Sequence, residues 1–138
     1  MRTLVALLFL LVGCAPMADT TADTANPPGL DGTDWTLASM SGNAPAAGST
    51  ITLKFEQDRA SGSAGCNQYS GTYTTSGSTI ELGPMAATKR ACLEQALNVQ
   101  ESAYLNALSK VAKYGVSGDR LMLRDAGGTT LLEYDRAR

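Results

Sequence analysis

The chain has 138 residues, of which 43% are hydrophobic and 17% are charged, and its formal net charge at pH 7 is -2. This composition is typical of one folded domain and excludes a chain that is disordered throughout. The mildly acidic balance excludes the basic surface that nucleic-acid binding requires, and it provides no strong attraction to anionic lipids.

The N-terminal segment resembles a bacterial export signal. One arginine precedes an apolar run at residues 4–12, which is shorter than the roughly 20 residues of a permanent membrane span. The run ends in LVGC at residues 11–14, which resembles the lipoprotein box, in which the cysteine thiol is diacylated and the chain is cut just before it. We therefore predict residues 1–13 as a lipoprotein signal peptide and Cys14 as the lipid attachment site. A plain signal peptide with an incidental cysteine is the alternative.

Residues 14–29 are rich in Ala, Thr, Asp and Pro and have no apolar periodicity. This composition predicts a solvated tether, with a recognition peptide as the alternative. We expect the lipid on Cys14 to be the membrane attachment, because two or more acyl chains make such anchoring stable. Ala15 follows Cys14, in place of the aspartate that commonly retains enteric lipoproteins at the inner membrane. The expected location is therefore the bacterial envelope, on the outer membrane facing the periplasm.

Alternating apolar and polar residues predict strands in residues 30–138, which we expect to form one domain. The core-facing positions are Trp35 and Leu37; Ile51, Leu53 and Phe55; Tyr69 and Tyr73; and Ile80 and Leu82. The turn Ser76-Gly77 predicts a hairpin between the last two strands. Two further strands are predicted around the sequences RLMLRD and TTLLEYD.

One helix is predicted between the earlier and the later strands. Tyr104, Leu105 and Leu108 share one face at helical spacing, and Asn98 followed by Glu101 resembles a capping box. The predicted helix runs from about residue 99 to 110 and ends near Lys113, although the apolar segment before it would also allow an earlier start. The fold class is therefore mainly β (α+β), an antiparallel sheet with one helix.

Cys66 and Cys92 are the two cysteines that remain if Cys14 is lipidated. In an oxidising compartment two such thiols tend to pair, and closing this loop would remove roughly 3.5 kcal/mol of unfolded-chain entropy. A metal site is the alternative, but two thiolates supply only half of a structural zinc site, and the chain contains no histidine. For the same reason, a nucleophilic cysteine would lack a histidine base. We expect no metal and no cofactor.

Several segments resemble the META domain or HslJ-like family of bacterial lipoproteins. They are Trp35-Thr36-Leu37, residues 51–55, the GCNQYSGTY sequence at residues 65–73, residues 83–92, residues 101–108 and residues 121–123. The resemblance implies a small, incompletely closed antiparallel β-barrel with one helix packed across the opening. It also implies envelope lipoproteins linked to heat shock, envelope stress and tolerance of some antibiotics, without an established catalytic activity.

Four residues are candidates for ligand contact or for packing. Asn67 lies in a glycine-rich segment, where an asparagine more often supports a turn than binds a ligand. Tyr69, Tyr73 and Tyr104 could line a pocket, but aromatic residues also favour the half-buried surface of a sheet. No carboxylate pair in the sequence indicates acid–base catalysis.

These patterns favour a noncatalytic, lipid-anchored envelope protein, expected to be a monomer, whose barrel is an interaction or accessory module for an unknown envelope protein. The alternative is a carrier of an apolar ligand, or a pilot-like chaperone that binds an acyl chain or a partner peptide in an open barrel. A third possibility is a hydrolase that uses serine or aspartate without histidine. A continuous apolar cavity of roughly 300 Å³ inside the barrel would favour the carrier, and a filled core would favour the module.

Overall fold

The computed structural model describes residues 29–138. These residues form the strands β1 (Thr33–Met40), β2 (Thr52–Glu56), β3 (Arg59–Ser63), β4 (Gln68–Ser76), β5 (Thr79–Leu82), β6 (Ala86–Ala87), β7 (Lys113–Ser117), β8 (Arg120–Arg124) and β9 (Thr130–Arg136), with helix α1 (Gln95–Ser109) between β6 and β7. The predicted signal peptide, Cys14 and most of the predicted tether lie outside the described residues. Within the described range, no helix is both long enough and apolar enough to cross a membrane.

The strands form an antiparallel barrel. Eight of them are hydrogen-bonded in the cyclic order β1, β2, β3, β4, β5, β7, β8 and β9, and β9 returns to pair with β1. The short β6 continues the line of β5 along β4 after an irregular stretch at residues 83–85. An antiparallel β-barrel with one helix is therefore confirmed.

The expected incomplete closure of the barrel is wrong in detail, because the ring of hydrogen bonds is closed. The pairing of β3 with β4 over five residue pairs completes one side of the ring. The thinnest joint lies between β5 and β7, where Thr79 and Lys113 form one register pair. Two backbone hydrogen bonds flank that pair, since Ile80 donates to the Ala112 carbonyl and Tyr114 donates to the Ser78 carbonyl.

Glycine is required where β3 crosses close to β2. A Cβ added at Gly62 would clash with the carbonyl oxygen of Thr52. A larger residue would therefore push β3 away from β2 and disturb the wall that β3 completes. The close approach of the two backbones thus explains why glycine occupies this position of the strand.

The inward-facing residues fill the barrel. Eight of the nine predicted core-facing residues are buried: Trp35, Leu37, Ile51, Leu53, Phe55, Tyr69, Tyr73 and Ile80. The ninth, Leu82, is half-buried and packs against the core. At the end of the barrel where β1 begins, which we call the lower end, Leu30 is buried and the Arg136 guanidinium lies 4.4 Å from the centroid of the Trp35 ring. Side chains therefore cover that end, and the cation–π contact there joins the neighbouring strands β1 and β9.

Helix α1 lies across the opposite, upper end. Its residue Gln100 accepts a hydrogen bond from the Ala46 amide at 2.6 Å and donates to the Ser49 hydroxyl at 2.8 Å, both in the loop between β1 and β2. Its buried residues are Glu101, Tyr104, Ala107 and Leu108, which occur at spacings of three and four. One face of the helix therefore covers the core, as the periodicity predicted.

The helix begins at Gln95, four residues before the predicted start, and the predicted capping box is wrong. Glu94 is the N-cap and makes no side-chain capping hydrogen bond. Asn98 lies inside the first turns, where its side-chain amide accepts from the Cys92 amide at 3.1 Å and donates to the Cys92 carbonyl at 3.4 Å. The helix can start early because Asn98 holds the incoming chain at Cys92.

Candidate functional site

The most polar buried region is the joint between α1 and the N-terminal end of β4. Here Cys66 and Cys92 form the predicted disulfide, with their Cα atoms 5.9 Å apart. It links the turn before β4 to the segment that leads into the helix. The sulfur of Cys66 lies 3.9 Å from both carboxylate oxygens of Glu101.

Asn67 and Glu101 form the centre of this joint. One carboxylate oxygen of Glu101 accepts from the Asn67 backbone amide at 2.8 Å, and the other accepts from the Asn67 side-chain amide at 2.6 Å. The side-chain oxygen of Asn67 accepts from the Thr88 hydroxyl at 2.9 Å and from the Arg90 amide at 2.8 Å. Asn67 is 3% exposed and Glu101 is 9% exposed. Their polar groups are thus engaged with each other and with neighbouring backbone, as buried polar groups require.

Three tyrosine hydroxyls form a hydrogen-bonded chain beside this joint. The Tyr69 hydroxyl donates to the Thr52 carbonyl at 2.7 Å, so it must accept from Tyr104, whose hydroxyl lies 2.8 Å away. Tyr104 has then used its hydrogen and accepts from Tyr134 at 2.9 Å. The direction from Tyr134 to Tyr104 to Tyr69 to Thr52 follows because each hydroxyl has one hydrogen to donate.

The tyrosine chain is held in its neutral form. Burial raises the pKa of the Tyr69, Tyr104 and Tyr134 hydroxyls well above their usual range, and charge repulsion from the neighbouring tyrosines adds to the rise. For Tyr104 and Tyr134, a hydrogen bond within the chain lowers the pKa and offsets part of that rise. A charged phenolate would have to lose its hydration inside the core. These hydroxyls therefore act as structural donors and acceptors at neutral pH, and they link the helix to both sides of the barrel.

The structure brings together only some of the candidate residues. Tyr69 and Tyr104 are neighbours in the chain of hydroxyls, with ring centroids 5.6 Å apart, and Asn67 lies in the adjoining joint. Tyr73 is separate from them and makes an edge contact with Phe55, at 4.7 Å between centroids. The predicted lipid site, Cys14, lies outside the described residues.

Sequence reasoning missed the roles of Glu101 and Tyr134. Glu101 occurs three residues before Tyr104 and seven before Leu108, so helical spacing could have placed it on the buried face. Tyr134 alternates with Leu132 in the last strand, and this spacing also indicates an inward position.

The joint also gathers the atoms of a potential metal site. Ligand atoms of Cys66, Cys92 and Glu101 all lie within 4.8 Å of one another. However, the two sulfurs are bonded to each other, and metal binding requires free thiolates. In this oxidised form, the cluster is a structural crosslink next to a hydrogen-bonded carboxylate.

Two cavities lie outside the filled interior. A groove of about 880 Å³ follows the outer wall over β1, β2, β3, β4 and β6, beside the C-terminal residues. A cavity of about 380 Å³ lies between α1 and the loop that follows β1, and Pro45, Ala103 and Leu131 are among its lining residues.

The comparisons with known proteins agree with this architecture. The META domain model matches residues 28–138. A solution structure of a protein from Burkholderia xenovorans is similar, with 30% identity, a TM-score of 0.65, and coverage of 96% of this chain and 99% of that chain. A second solution structure, at 24% identity and a TM-score of 0.61, covers 77% of this chain and 90% of that chain, and it supports the fold alone. No curated protein sequence matches the chain. The domain match extends over nearly all of the folded part, and the chain therefore belongs to the META domain family.

Proposed function

We propose that the protein is a noncatalytic, lipid-anchored component of the bacterial envelope whose barrel acts as an interaction or accessory module. The observation that carries this proposal is the packed barrel interior. Trp35, Tyr104 and Tyr134 are at most 1% exposed, and core side chains occupy the space between the walls. An acyl chain or partner peptide would have to displace this core to enter the barrel. The outer surface is therefore the part that is free to bind partners.

The arrangement of the polar core supports a noncatalytic role. The carboxylate of Glu101 is engaged by Asn67, and the tyrosine hydroxyls are engaged with one another. A general acid or base must reach a substrate, and these groups instead face the interior. They stabilise the position of the helix on the barrel.

The lipid anchor is proposed from the sequence of residues 1–14. The described chain begins next to the lower end of the barrel, where Leu30 is buried and Gly32 donates to the Phe55 carbonyl at 2.9 Å. A tether from a lipid on Cys14 would thus join the domain at the end opposite α1. On this proposal the helix end is directed away from the membrane and is available to an envelope partner.

The proposed biological role is support of the envelope under stress or antibiotic exposure, as the resemblance to this family implies. We propose the outer membrane as the location and a monomer as the unit that binds the partner.

The anchor is tested by mass spectrometry of the protein isolated from membranes. The expected product begins at Cys14 and carries acyl chains, whereas Cys14→Ala is expected to lose the acyl mass and leave the membrane fraction. The matched control is Met17→Ala, a nearby substitution outside the lipoprotein box. An unlipidated wild-type chain that begins at any other residue would overturn the anchor.

The interaction role is tested by photo-crosslinking in intact cells. A photoreactive residue replaces Ala103 on the outer face of α1, and the matched control replaces Thr74 on the outer face of β4. We expect a specific adduct with an envelope protein from position 103 and no such adduct from position 74. The noncatalytic role would be contradicted if the folded protein catalysed a reaction and if substitution of one of its polar core residues abolished that turnover.

A further inference from the structure

The outer wall of the barrel carries a groove of unusual composition. In one row across the strands, Asp34 is paired with Lys54, Lys54 with Ser61, and Ser61 with Ser70. The same row ends at Ala86, which is paired with Ser70. Directly paired residues in a sheet point to the same face, so this row forms the floor of the groove of about 880 Å³.

A second row of the same kind lies beside the first. Thr52 is paired with Thr36, and Ser63 is paired with Gln68. Thr52 and Ser63 are joined by a hydrogen bond from the Ser63 amide to the Thr52 hydroxyl, at 3.0 Å. Of this second row, Thr52 and Gln68 line the groove, beside the residues of the first row. Hydroxyl groups and one amide are thus repeated across the groove at the spacing of neighbouring strands, about 4.8 Å.

The opposite half of the outer wall is different. There, Arg120 lies 3.7 Å from Glu133 and 3.3 Å from Asp135, and Arg136 lies 3.6 Å from Asp119. Two arginines there pair with three carboxylates, whereas among the described residues the groove half has the single ion pair of Lys54 with Glu56, at 3.2 Å. The short hydroxyl residues of the groove are thus a local feature of one half of the wall, and they leave an open depression.

The polar atoms of the groove retain capacity for a ligand. Among residues 29–138, the Ser61 hydroxyl and the Gln68 side-chain amide have no protein hydrogen-bond partner. The Ser70 hydroxyl accepts from Arg59 at 2.9 Å and still has its own hydrogen to donate. The Thr52 hydroxyl is in the same state. Each hydroxyl can donate its hydrogen to a ligand, and the amide offers a carbonyl oxygen that accepts and an NH2 group that donates.

These properties select a class of ligand. The charged residues that line the groove are Asp34, Lys54 and Arg138, which carry both signs. Asp34 lies opposite Lys54 across paired strands, and Lys54 also forms an ion pair with Glu56 at 3.2 Å. The lining therefore presents no block of one sign that would select a strongly charged ligand. The large exposed apolar residues, Leu93 and Val99, lie outside the groove, but Ala86 and Ala87 line it and its lining exposes more apolar than polar surface. A ligand there therefore needs apolar faces as well as polar groups. A ligand that presents many hydroxyl groups at a repeat close to the strand spacing matches both the lining and its periodicity.

We propose that this groove binds an extended, uncharged oligosaccharide whose sugar rings lie across strands β2, β3, β4 and β6. Sugar hydroxyls pair with Ser61, Gln68 and Ser70, and the exposed backbone and methyl groups contact the ring faces. The proposal does not depend on the lipid anchor, since every residue that it uses lies in the folded domain.

The test is a titration followed by backbone amide NMR. The full isotopically labelled chain is held in a detergent that carries no sugar, and the probes are a tetrasaccharide of N-acetylglucosamine, cellotetraose and tetra-alanine. We expect saturable shifts at Ser61, Gln68 and Ser70 with at least one of the two sugars at up to about 10 mM. The two sugars distinguish recognition of acetamido groups from recognition of hydroxyl groups alone.

The variants separate binding from folding. Ser61→Tyr is expected to fill the groove and to weaken binding by about tenfold or more, and Ser61→Val removes the hydroxyl while keeping a good strand former. The matched control is Thr74→Tyr, an exposed position of β4 outside the groove, which should bind as the wild type does. The proposal is overturned if neither sugar binds, if only the peptide binds, or if the shifts map to the helix end. Wild-type affinity in both folded Ser61 variants would also overturn it.

Discussion

The direction of the tyrosine chain makes a quantitative prediction about its members. Tyr104→Phe removes a hydroxyl that makes two hydrogen bonds, to Tyr69 at 2.8 Å and to Tyr134 at 2.9 Å. Each bond contributes about 1 kcal/mol, and the Tyr134 hydroxyl is left buried with no acceptor, which costs about 1–3 kcal/mol. We therefore expect Tyr104→Phe to lower the free energy of unfolding by about 3–5 kcal/mol.

Tyr134→Phe should lower the free energy of unfolding much less, because it removes the hydroxyl that only donates in the hydrogen-bonded chain of tyrosines. It loses one bond and leaves only an unused lone pair on Tyr104, so the expected loss is about 1 kcal/mol. The double variant no longer contains the orphaned hydroxyl. Adding Tyr134→Phe to Tyr104→Phe should therefore cause no further loss, or should restore some stability.

The assay is denaturant unfolding of the oxidised protein, followed by circular dichroism, for the wild type, both single variants and the double variant. The double-mutant cycle measures the coupling between the two hydroxyls. Equal losses from the two single variants, or strictly additive losses in the double variant, would refute the assigned direction of the chain. A change in the slope against denaturant would show that the substitutions altered more than stability.

Two further predictions concern pH and the disulfide. The raised pKa values of the three chain tyrosines mean that the unfolded chain releases protons first as the pH rises. Their contribution to stability is therefore intact below about pH 10 and falls above it by about 1.4 kcal/mol per pH unit for each tyrosine, and unfolding curves between neutral and alkaline pH should show this. A flat profile above pH 10 would contradict it. The double substitution Cys66→Ala/Cys92→Ala should lower the free energy of unfolding by about 3.5 kcal/mol, because the disulfide spans a sequence separation of 26 residues. Free thiols in protein isolated under alkylating, nonreducing conditions would contradict the pairing, and an unchanged unfolding midpoint in the double variant would contradict its structural role.

The strands with strong alternation could be predicted from the sequence, whereas the weakly apolar ones could not. Strand β2 alternates large apolar with polar residues, and its inward positions are fully buried. In β3 the inward positions are Ala60 and Gly62, which give almost no hydrophobic signal, and the strand exists because β2 and β4 bind it on both sides. The two-residue β6 is likewise defined only by its pairing with β4.

Strand β7 was missed for a different reason. Its residues follow the helix directly, and Ala112 continues the apolar spacing of the helix, so the predicted helix end near Lys113 overlapped the start of the strand. The actual boundary is set by a tertiary contact, because the Ala112 amide donates a hydrogen bond to the Arg124 carbonyl of β8 at 2.8 Å. Local periodicity contains no information about that partner.

The candidate site shows the same division. Pairing of Cys66 with Cys92 followed from counting the available thiols, because few alternatives remained. The burial of Glu101 depends on Asn67, which is 34 residues away in sequence, and no local pattern joins the two. The closed ring also depends on long-range register, which a family resemblance describes only approximately.

The pairing of β1 with β9 has a consequence for the order in which the protein folds. Residues at the start of the domain, such as Trp35, pair with residues at its end, such as Arg136. Because an exported chain emerges with its N-terminal part first, β1 has one neighbour, β2, until the last strand has emerged. Contacts of such high sequence separation are slow to form, since the loop entropy must be lost first. The disulfide loop, by contrast, contains only the middle of the chain, and its two cysteines can meet while the C-terminal strands are still absent. The crosslink can therefore fix the helix approach before the barrel has its final strand, and ring closure is necessarily a late event.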